Sequence, residues 1–328
     1  MTKSYKSAVL AVVVTYEPDL QTLEQLLKVL VVQVDAIMVV DNGSQVNLQI
    51  WINEHKLSTI NLIALIENKG IAAAHNVGIE WANNYGADFV LLMDQDSVPA
   101  PNMVPVLIYA FLEADQKKGC FKPIAAGPMC VDSRTNKRSF FVIEQHGMPS
   151  RWRSNTNLLP NNFSHEVSFL ISSGSLINLK ALQSVGGMRS NYFIDHVDTE
   201  WCFRARANGY VLLGVPNAQM QHTMGDKVKN IWFFGWRQVA YHSPLRDYYM
   251  FRNTLLMFRD VKMSIFWQLY LLWRLIQFSS YFLIFVNQRS QRFYCMTLGI
   301  VHGVRGISGK FDLKTGQCTQ IPESDLDT

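Results

Sequence analysis

What the chain lacks narrows it before any motif is read. Only 17% of its 328 residues are charged and 48% are hydrophobic, a balance that argues against long disorder and leaves enough apolar side chains for a full α/β core. The five cysteines, Cys120, Cys130, Cys202, Cys295 and Cys318, are scattered without a C-x-x-C pair. That disfavours a zinc cluster and a disulfide framework, and a reducing cytosolic setting is expected. There is no G-x-G-x-x-G, no Walker-type lysine loop and no Gly-x-Ser-x-Gly elbow. A dinucleotide enzyme, a P-loop nucleotidase and a serine hydrolase of that type are therefore disfavoured. The polar stretch from Met1 to Ser7 and the short apolar run after it carry no small-residue cleavage site, so no secretory signal is expected.

What is present begins as a series of buried strands. Ala8 to Val14, Ala36 to Val40, Ile60 to Ile66 and Phe89 to Met93 are short apolar runs rich in β-branched residues, the pattern of parallel strands covered on both faces. Leu20, Leu23, Leu26, Leu27 and Leu30 recur at helical spacing after Pro18-Asp19, and Ile71 to Tyr85 is compatible with a second helix. Each strand ends in polar residues: Thr15-Tyr16, Asp41-Asn42, Asn68-Lys69-Gly70 and Asp94-Gln95-Asp96. Singly each reads as an ordinary polar turn. Together, at the carboxyl ends of parallel strands, they would form one ligand crevice. Further on, Val167 to Asn178 is expected to be a strand interrupted at Ser172-Ser173-Gly174-Ser175, and a helix is expected to run from the acidic segment at Asp195 to Gly209.

Asp94-Gln95-Asp96 is the sharpest chemical feature. Two carboxylates one residue apart after a buried strand suit magnesium or manganese, which take one or two carboxylates and complete their shells with substrate phosphates. Asp195, Asp198 and Glu200 form a second acidic group that could supply a general base or could cap the helix behind it. His222 follows the expected strand Tyr210 to Val215 and could complete a metal site with Asp96.

The ordered set of motifs resembles the inverting family-two glycosyltransferases of GT-A fold. It is carried by Val13-Val14-Thr15-Tyr16, Val39-Val40-Asp41-Asn42-Gly43-Ser44, Asn68 to Asn76, Leu91 to Asp96, Ser173-Gly174, Gly186-Gly187-Met188 and Asp198-Thr199-Glu200-Trp201-Cys202 with Arg204. Within that family the Asp-Gln-Asp-Ser form, the Trp-Cys pair and Tyr248-Tyr249-Met250-Phe251-Arg252-Asn253 are similar to bacterial rhamnosyltransferases. The resemblance implies an α/β GT-A-type nucleotide-binding fold, with a mostly parallel mixed sheet flanked by helices and a helical C-terminal region. It implies donor contacts from Thr15, Tyr16, Asp41, Asn68, Lys69, Gly70, Asn76 and Asp94, and metal ligation (Mg2+ or Mn2+) by Asp96 and His222. It implies Asp198 as catalytic base, with Ser173, Gly174, Asp195, Glu200 and Trp201 on the acceptor side. The implied donor is a nucleotide-diphosphate sugar, dTDP-L-rhamnose, and the implied acceptor a lipid-linked glycan, as in bacterial O-antigen or surface polysaccharide synthesis. Two departures stand out: Val197 precedes Asp198 where relatives have Glu, and His75 stands where many have arginine.

The tail differs in texture. Twelve Lys or Arg against three acids fall between Asp226 and Lys310, among many aromatics, a mixture that suits anionic lipid better than nucleic acid. Trp267 to Val286 has the length of a bilayer span but is interrupted by Gln268, Arg274 and Gln277. It is expected to lie in the membrane interface, with a true span, a buried hairpin and a dimer contact as alternatives. The expected organisation is a catalytic domain over residues 1–225, with a donor half to about residue 98 and an acceptor half from about 99, followed by a membrane- or oligomer-contacting region over 226–328. The expected location is the cytoplasmic face of the inner membrane. Against these stand a sugar-1-phosphate nucleotidyltransferase, for which Thr15-Tyr16-Glu17-Pro18 is the wrong loop, and an inert membrane-associated scaffold.

Overall fold

The computed structural model describes residues 7–55, 57, 59–116, 122–153, 163–222, 227–232 and 236–321. Cys120 lies outside the described residues; Cys130, Cys202, Cys295 and Cys318 are free thiols.

The first half alternates strand and helix. In chain order it runs β1 (Val9–Thr15), α1 (Leu20–Leu30), β2 (Ala36–Asp41), α2 (Leu48–Glu54), β3 (Ile60–Ala64), α3 (Ile71–Tyr85), β4 (Phe89–Asp94), β5 (Ser97–Pro99) and α4 (Met103–Gln116). The second half continues with β6 (Pro123–Asp132), β7 (Phe141–Gln145), β8 (Met148–Trp152), β9 (His165–Val167), β10 (Leu176–Asn178), α5 (Leu179–Val185), α6 (Val197–Ala207) and β11 (Val211–His222). Then come the hairpin β12 (Lys227–Trp232) and β13 (Trp236–Tyr241), three helices α7 (Pro244–Asp260), α8 (Ile265–Phe285) and α9 (Arg289–Arg305), and the hairpin β14 (Lys310–Asp312) and β15 (Gln317–Thr319).

One mixed sheet organises the molecule, in the order β3-β2-β1-β4-β10-β6-β11-β5, with β9 also on β11. The first four strands are parallel, β10 runs antiparallel to both β4 and β6, and β6 and β11 are parallel again. The sheet is covered on both faces, which is why its strands read as unbroken apolar runs. Leu10, Val12 and Val14 of β1 join one core; Val9, Ala11 and Val13 join the other, where the buried face of α1 meets them. Gly78 of α3 lies against Val12 so closely that a Cβ would sit 2.1 Å from its Cγ1, so that helix rides directly on the strand.

Three local expectations change. The stretch Val167 to Asn178 is not one strand: β9 and β10 pair with different neighbours, and Gly174, at φ +82°, turns the chain between them. The strand expected to stop at Val215 continues to His222 through an irregularity between Val215 and Gln219, beside Pro216. The C-terminal region, expected to be helical, opens and closes with a hairpin. Its first and last helices are tightly joined: a Cβ at Gly299 of α9 would lie 2.6 Å from the Tyr248 carbonyl of α7, and one at Gly303 would lie 2.8 Å from the Arg252 carbonyl. Among the described residues no helix is long and apolar enough to cross a membrane.

Candidate functional site

The parallel strand ends and the start of α6 meet in a cleft of about 470 Å³, whose walls include Thr15, Tyr16, Asn42, Asn68, Gly70, Asp94, Asp96, Asp195, Asp198 and Arg246. Its floor is set by backbone register. Thr15 pairs with Asp41 across β1 and β2, and the Thr15 hydroxyl donates to Asp41 Oδ1 at 3.1 Å. Asp41 also accepts from the Ser44 amide and hydroxyl; it is buried beneath the floor, and Asn42 reaches the cleft wall in its place. Asn42 donates to Asn68 Oδ1 and accepts from the Lys69 amide, while Asn68 accepts from the Gly70 amide. This binds two strand ends into one rim. At Gly70, φ is +87° and a Cβ would sit 2.6 Å from the Phe193 carbonyl oxygen, so glycine is required where the rim meets the segment before α6.

The acidic pair is held from behind. The Asp94 amide donates to Ser173 Oγ at 3.1 Å, and the Ser173 hydroxyl donates to Ser97 Oγ at 2.9 Å. Ser97 lies opposite His222 across β5 and β11, with their Oγ and Nδ1 2.7 Å apart. The same Nδ1 is 3.7 Å from Asp96 Oδ1. Gln95 exchanges hydrogen bonds with the Tyr16 backbone, its Oε1 accepting at 2.7 Å and its Nε2 donating at 3.1 Å.

Asp198 lies in the first turn of α6, where its Oδ1 accepts from the Thr199 amide at 2.7 Å. Burial pushes its carboxyl above the ordinary carboxylate range, opposed by that hydrogen bond and by His196. Burial, then the neighbouring charges of Asp96 and Asp198, push Asp94 up to about 7, against an opposing pull from Arg246. A crowd of carboxylates with this little compensation is a place for a cation. Among the described residues no three His, Cys, Asp or Glu form a complete metal cage. Asp96 lines the cleft as an oxygen donor of the kind a divalent ion shares with a diphosphate, with His222 behind it.

Other expected site residues lie elsewhere. Glu200 is fully buried and faces away, bound to Arg204 at 2.8 Å and 2.9 Å and to Arg189 at 2.7 Å. Trp201 is buried with its indole donating to the Gly186 carbonyl. Both side chains are engaged inside the protein, and neither lines the cleft. Ser173 and Gly174 support the acidic pair and the turn, and Ser172 lines the cleft where Ser173 was expected. Asn76 joins α3 to the loop before α6, donating to the Met188 carbonyl and accepting from its amide, both at 2.7 Å. It braces the cleft without lining it. Lys69 takes part through its backbone amide.

Sequence reasoning missed the contribution of α7. Arg246 grips Asp195 with Nη2 2.6 Å from Oδ1 and Nε 3.2 Å from Oδ2, which makes Asp195 an ion-paired anchor and a poor base. Asn253 Nδ2 lies 2.8–3.0 Å from the carbonyls of Tyr192, Ile194 and Asp195, and Arg252 donates to the carbonyls of Asn191, Tyr192 and Gly309. These bonds hold a segment in which Phe193, Asp195 and His196 all have positive φ, between 62° and 65°, a costly backbone for non-glycine residues. The only sequence signal was the Tyr-Tyr-Met-Phe-Arg-Asn run, legible by resemblance and not by chemistry.

The chain belongs to glycosyl transferase family 2, which matches it over residues 10–186. That range takes in the strand-end motifs and the acidic pair and stops before Asp198 and His222. A dTDP-rhamnosyl transferase, RfbF of Shigella flexneri, is 30% identical over 308 residues, covering 92% of this chain and 97% of that protein. Two solved structures share the fold at lower identity. Staphylococcus aureus TarS 1–349 has a TM-score of 0.53 at 18% identity, over 90% of this chain and 81% of that one. GalNAc-T7 crystallised with UDP, GalNAc and Mn2+ has a TM-score of 0.53 at 13% identity, over 66% of this chain and 44% of that one. The mixed, mostly parallel sheet flanked by helices is thus the expected GT-A-type architecture, and the chain is a glycosyltransferase.

Proposed function

We propose that this chain is an inverting, metal-dependent hexosyltransferase that moves L-rhamnose from dTDP-L-rhamnose to a hydroxyl of a lipid-linked glycan. The observation that carries the reading is the convergence of Asp94, Asp96 and Asp198 on one cleft beside the strand-end rim. The 30% identity to a dTDP-rhamnosyl transferase supports the choice of donor. Thr15, Tyr16, Asn42 and Asn68 hold the nucleoside end of the donor, and Arg246, paired with Asp195, stands in the cleft wall beside them. A divalent cation held by Asp96 and His222, with Asp94 beside them, would supply charge stabilisation for the departing diphosphate.

Asp198 does the proton work. Its carboxylate accepts the proton of the acceptor hydroxyl as the oxygen forms its bond to the anomeric carbon from the face opposite the diphosphate. The bond from that carbon to the diphosphate oxygen breaks and the nucleotide leaves, so the configuration inverts. The raised carboxyl pKa of Asp198 makes it a better proton acceptor than an exposed aspartate. The basic region after residue 225 would form a second unit that brings the enzyme to the cytoplasmic face of the inner membrane or to a second copy; its apolar helix surfaces support the reading.

The test is a panel of dTDP- and UDP-sugars incubated with magnesium or manganese, with nucleotide release as the readout. Release from dTDP-L-rhamnose above all others, abolished by chelation, is expected. Preference for a UDP-sugar would overturn the donor, and metal-independent release would overturn the cation.

A further inference from the structure

His196 stands in the wall of the donor cleft, shortly before Asp198, and also borders a neighbouring apolar cavity between the sheet and α7–α8. Its backbone is left-handed, at φ +62°, in the segment whose carbonyls Asn253 holds. Its side chain is tied to α7 as well. Nε2 lies 3.0 Å from Thr254 Oγ1, and that oxygen lies 2.8 Å from the Met250 carbonyl oxygen.

These two distances fix where the ring carries its hydrogen. A carbonyl cannot donate, and two acceptors so close would repel, so the single Thr254 hydroxyl proton lies on the bond to Met250. Thr254 then has only a lone pair to offer His196, and Nε2 carries the hydrogen. Burial holds the ring toward its neutral form against the pull of Asp195 and Asp198, and Arg274 acts with burial. A neutral imidazole with its hydrogen on Nε2 has a bare lone pair on Nδ1. Among the described residues nothing donates to that nitrogen, yet it is not sealed in. Both nitrogens of His75 are buried without a partner, and neither nitrogen of His196 is. Nδ1 is an open acceptor in the cleft wall.

The layout of the cleft says what meets it. With the nucleoside on the strand-end rim, the diphosphate beside Asp96 and the base at Asp198, the transferred sugar lies against the segment from Ile194 to Asp198. Along that segment Ile194 and Val197 are apolar, Asp195 is taken by Arg246, and Asp198 faces the attacking hydroxyl. His196 remains to meet the sugar, whose ring hydroxyls are donors to a bare nitrogen.

We infer that His196 Nδ1 accepts a hydrogen bond from a ring hydroxyl of the transferred sugar and so turns its anomeric carbon toward Asp198. Thr254 keeps that nitrogen bare: without it the ring hydrogen is free to move to Nδ1, where it would meet the hydroxyl as a second donor. The inference rests on the donor reading above and adds the residue that tells the sugar nucleotide from the nucleotide alone.

Calorimetry on the full chain with magnesium tests it, using dTDP and dTDP-L-rhamnose as the two probes. His196→Gln keeps an amide N–H that can reach Thr254 but loses the acceptor at Nδ1. It should weaken dTDP-L-rhamnose by roughly three- to tenfold, the range of one neutral hydrogen bond, and leave dTDP unchanged. His196→Asn, whose amide oxygen can take the place of Nδ1, should bind dTDP-L-rhamnose more tightly than His196→Gln does. Nitrogen NMR of histidine-labelled protein should show His196, identified by its absence from His196→Gln, with its hydrogen on Nε2. Thr254→Val should release that tautomer and weaken dTDP-L-rhamnose alone. Equal weakening of both probes by His196→Gln would make the histidine a support of the whole cleft and overturn the contact. An unweakened dTDP-L-rhamnose, tighter binding by His196→Gln than by His196→Asn, or a wild-type hydrogen on Nδ1 would overturn it too. Failure of wild type to bind dTDP at all would instead remove the donor reading on which the contact rests.

Discussion

The donor half and the C-terminal helices are built on opposite principles. Between β1 and β4 each chemical group sits at the end of the strand that precedes it, and its partners are the ends of neighbouring strands. The helices α7 to α9 contribute chemistry through reach: Arg246, Arg252 and Asn253 cross to a segment more than fifty residues earlier and fix its carbonyls and its acid. The first design places groups by topology alone. The second imposes a strained backbone on a segment that would relax without it. A polar strand end can therefore be altered with local effect, whereas a change in α7 is felt at Asp198.

Substitutions can break or sharpen that contrast. The largest effect is expected at the junction itself: Asp198→Asn should lower transfer by about 10²–10⁴-fold, the span of general-base catalysis, with dTDP affinity unchanged in calorimetry. The acid limb of the kcat/KM profile should lie above the ordinary aspartate range, because the proposed base Asp198 has to be ionised and its carboxyl is raised by burial. An acid limb near pH 4 would remove burial as the cause. Next comes Asn253→Leu, which frees three carbonyls of the segment leading into Asp198. It should reduce kcat by roughly 10–100-fold, the cost of a small misplacement, while leaving dTDP affinity near wild type. An equal loss in kcat and dTDP affinity would mean that α7 supports the whole cleft and not the base segment.

Within the donor half the effects should be on stability. His75 of α3 is fully buried with neither ring nitrogen hydrogen-bonded, and burial lowers its pKa to about 4. Between its ordinary 6.5 and about 4 the unfolded chain binds a proton that the folded chain refuses. Stability should therefore fall as pH drops through that window, by about 1.4 kcal/mol per pH unit. His75→Phe should remove this contribution, seen by urea melts at pH 7 and pH 5. Smallest of all, Asn47→Ala removes the side-chain acceptor at the start of α2 and should cost about 1 kcal/mol, with kcat unchanged.

The contrast also explains what was legible beforehand. β1, β2, β3, β4, α1 and α3 were readable because buried parallel strands and a leucine-faced helix write their periodicity into consecutive residues. The rim residues Thr15, Tyr16, Asn68 and Gly70 followed from strand ends, and the placement of His222 near Asp96 followed from resemblance, since a lone histidine carries no spacing signal. Glu200 turns inward to its arginines because an acidic run gives no phase: the helix start at Val197 decides which acids face the cleft. Arg246 left no local signature, and Asn253 showed only in the Tyr-Tyr-Met-Phe-Arg-Asn run, their partners being remote carbonyls and one carboxylate. Ser173 looked like an acceptor contact and is a prop, because the loop between β9 and β10 turns at Gly174.

The place of β10 has a consequence for how the molecule comes into being. The four parallel strands are complete once residue 94 has been made, but the strand that joins them to β6 arrives only at residues 176–178. The bonds that fix the segment before Asp198 come later still, and one of them ends on the carbonyl of Gly309. Chains emerge from the ribosome N-terminus first and fold in that order. The nascent protein thus has its strand-end rim long before α7 can hold the segment that leads into Asp198.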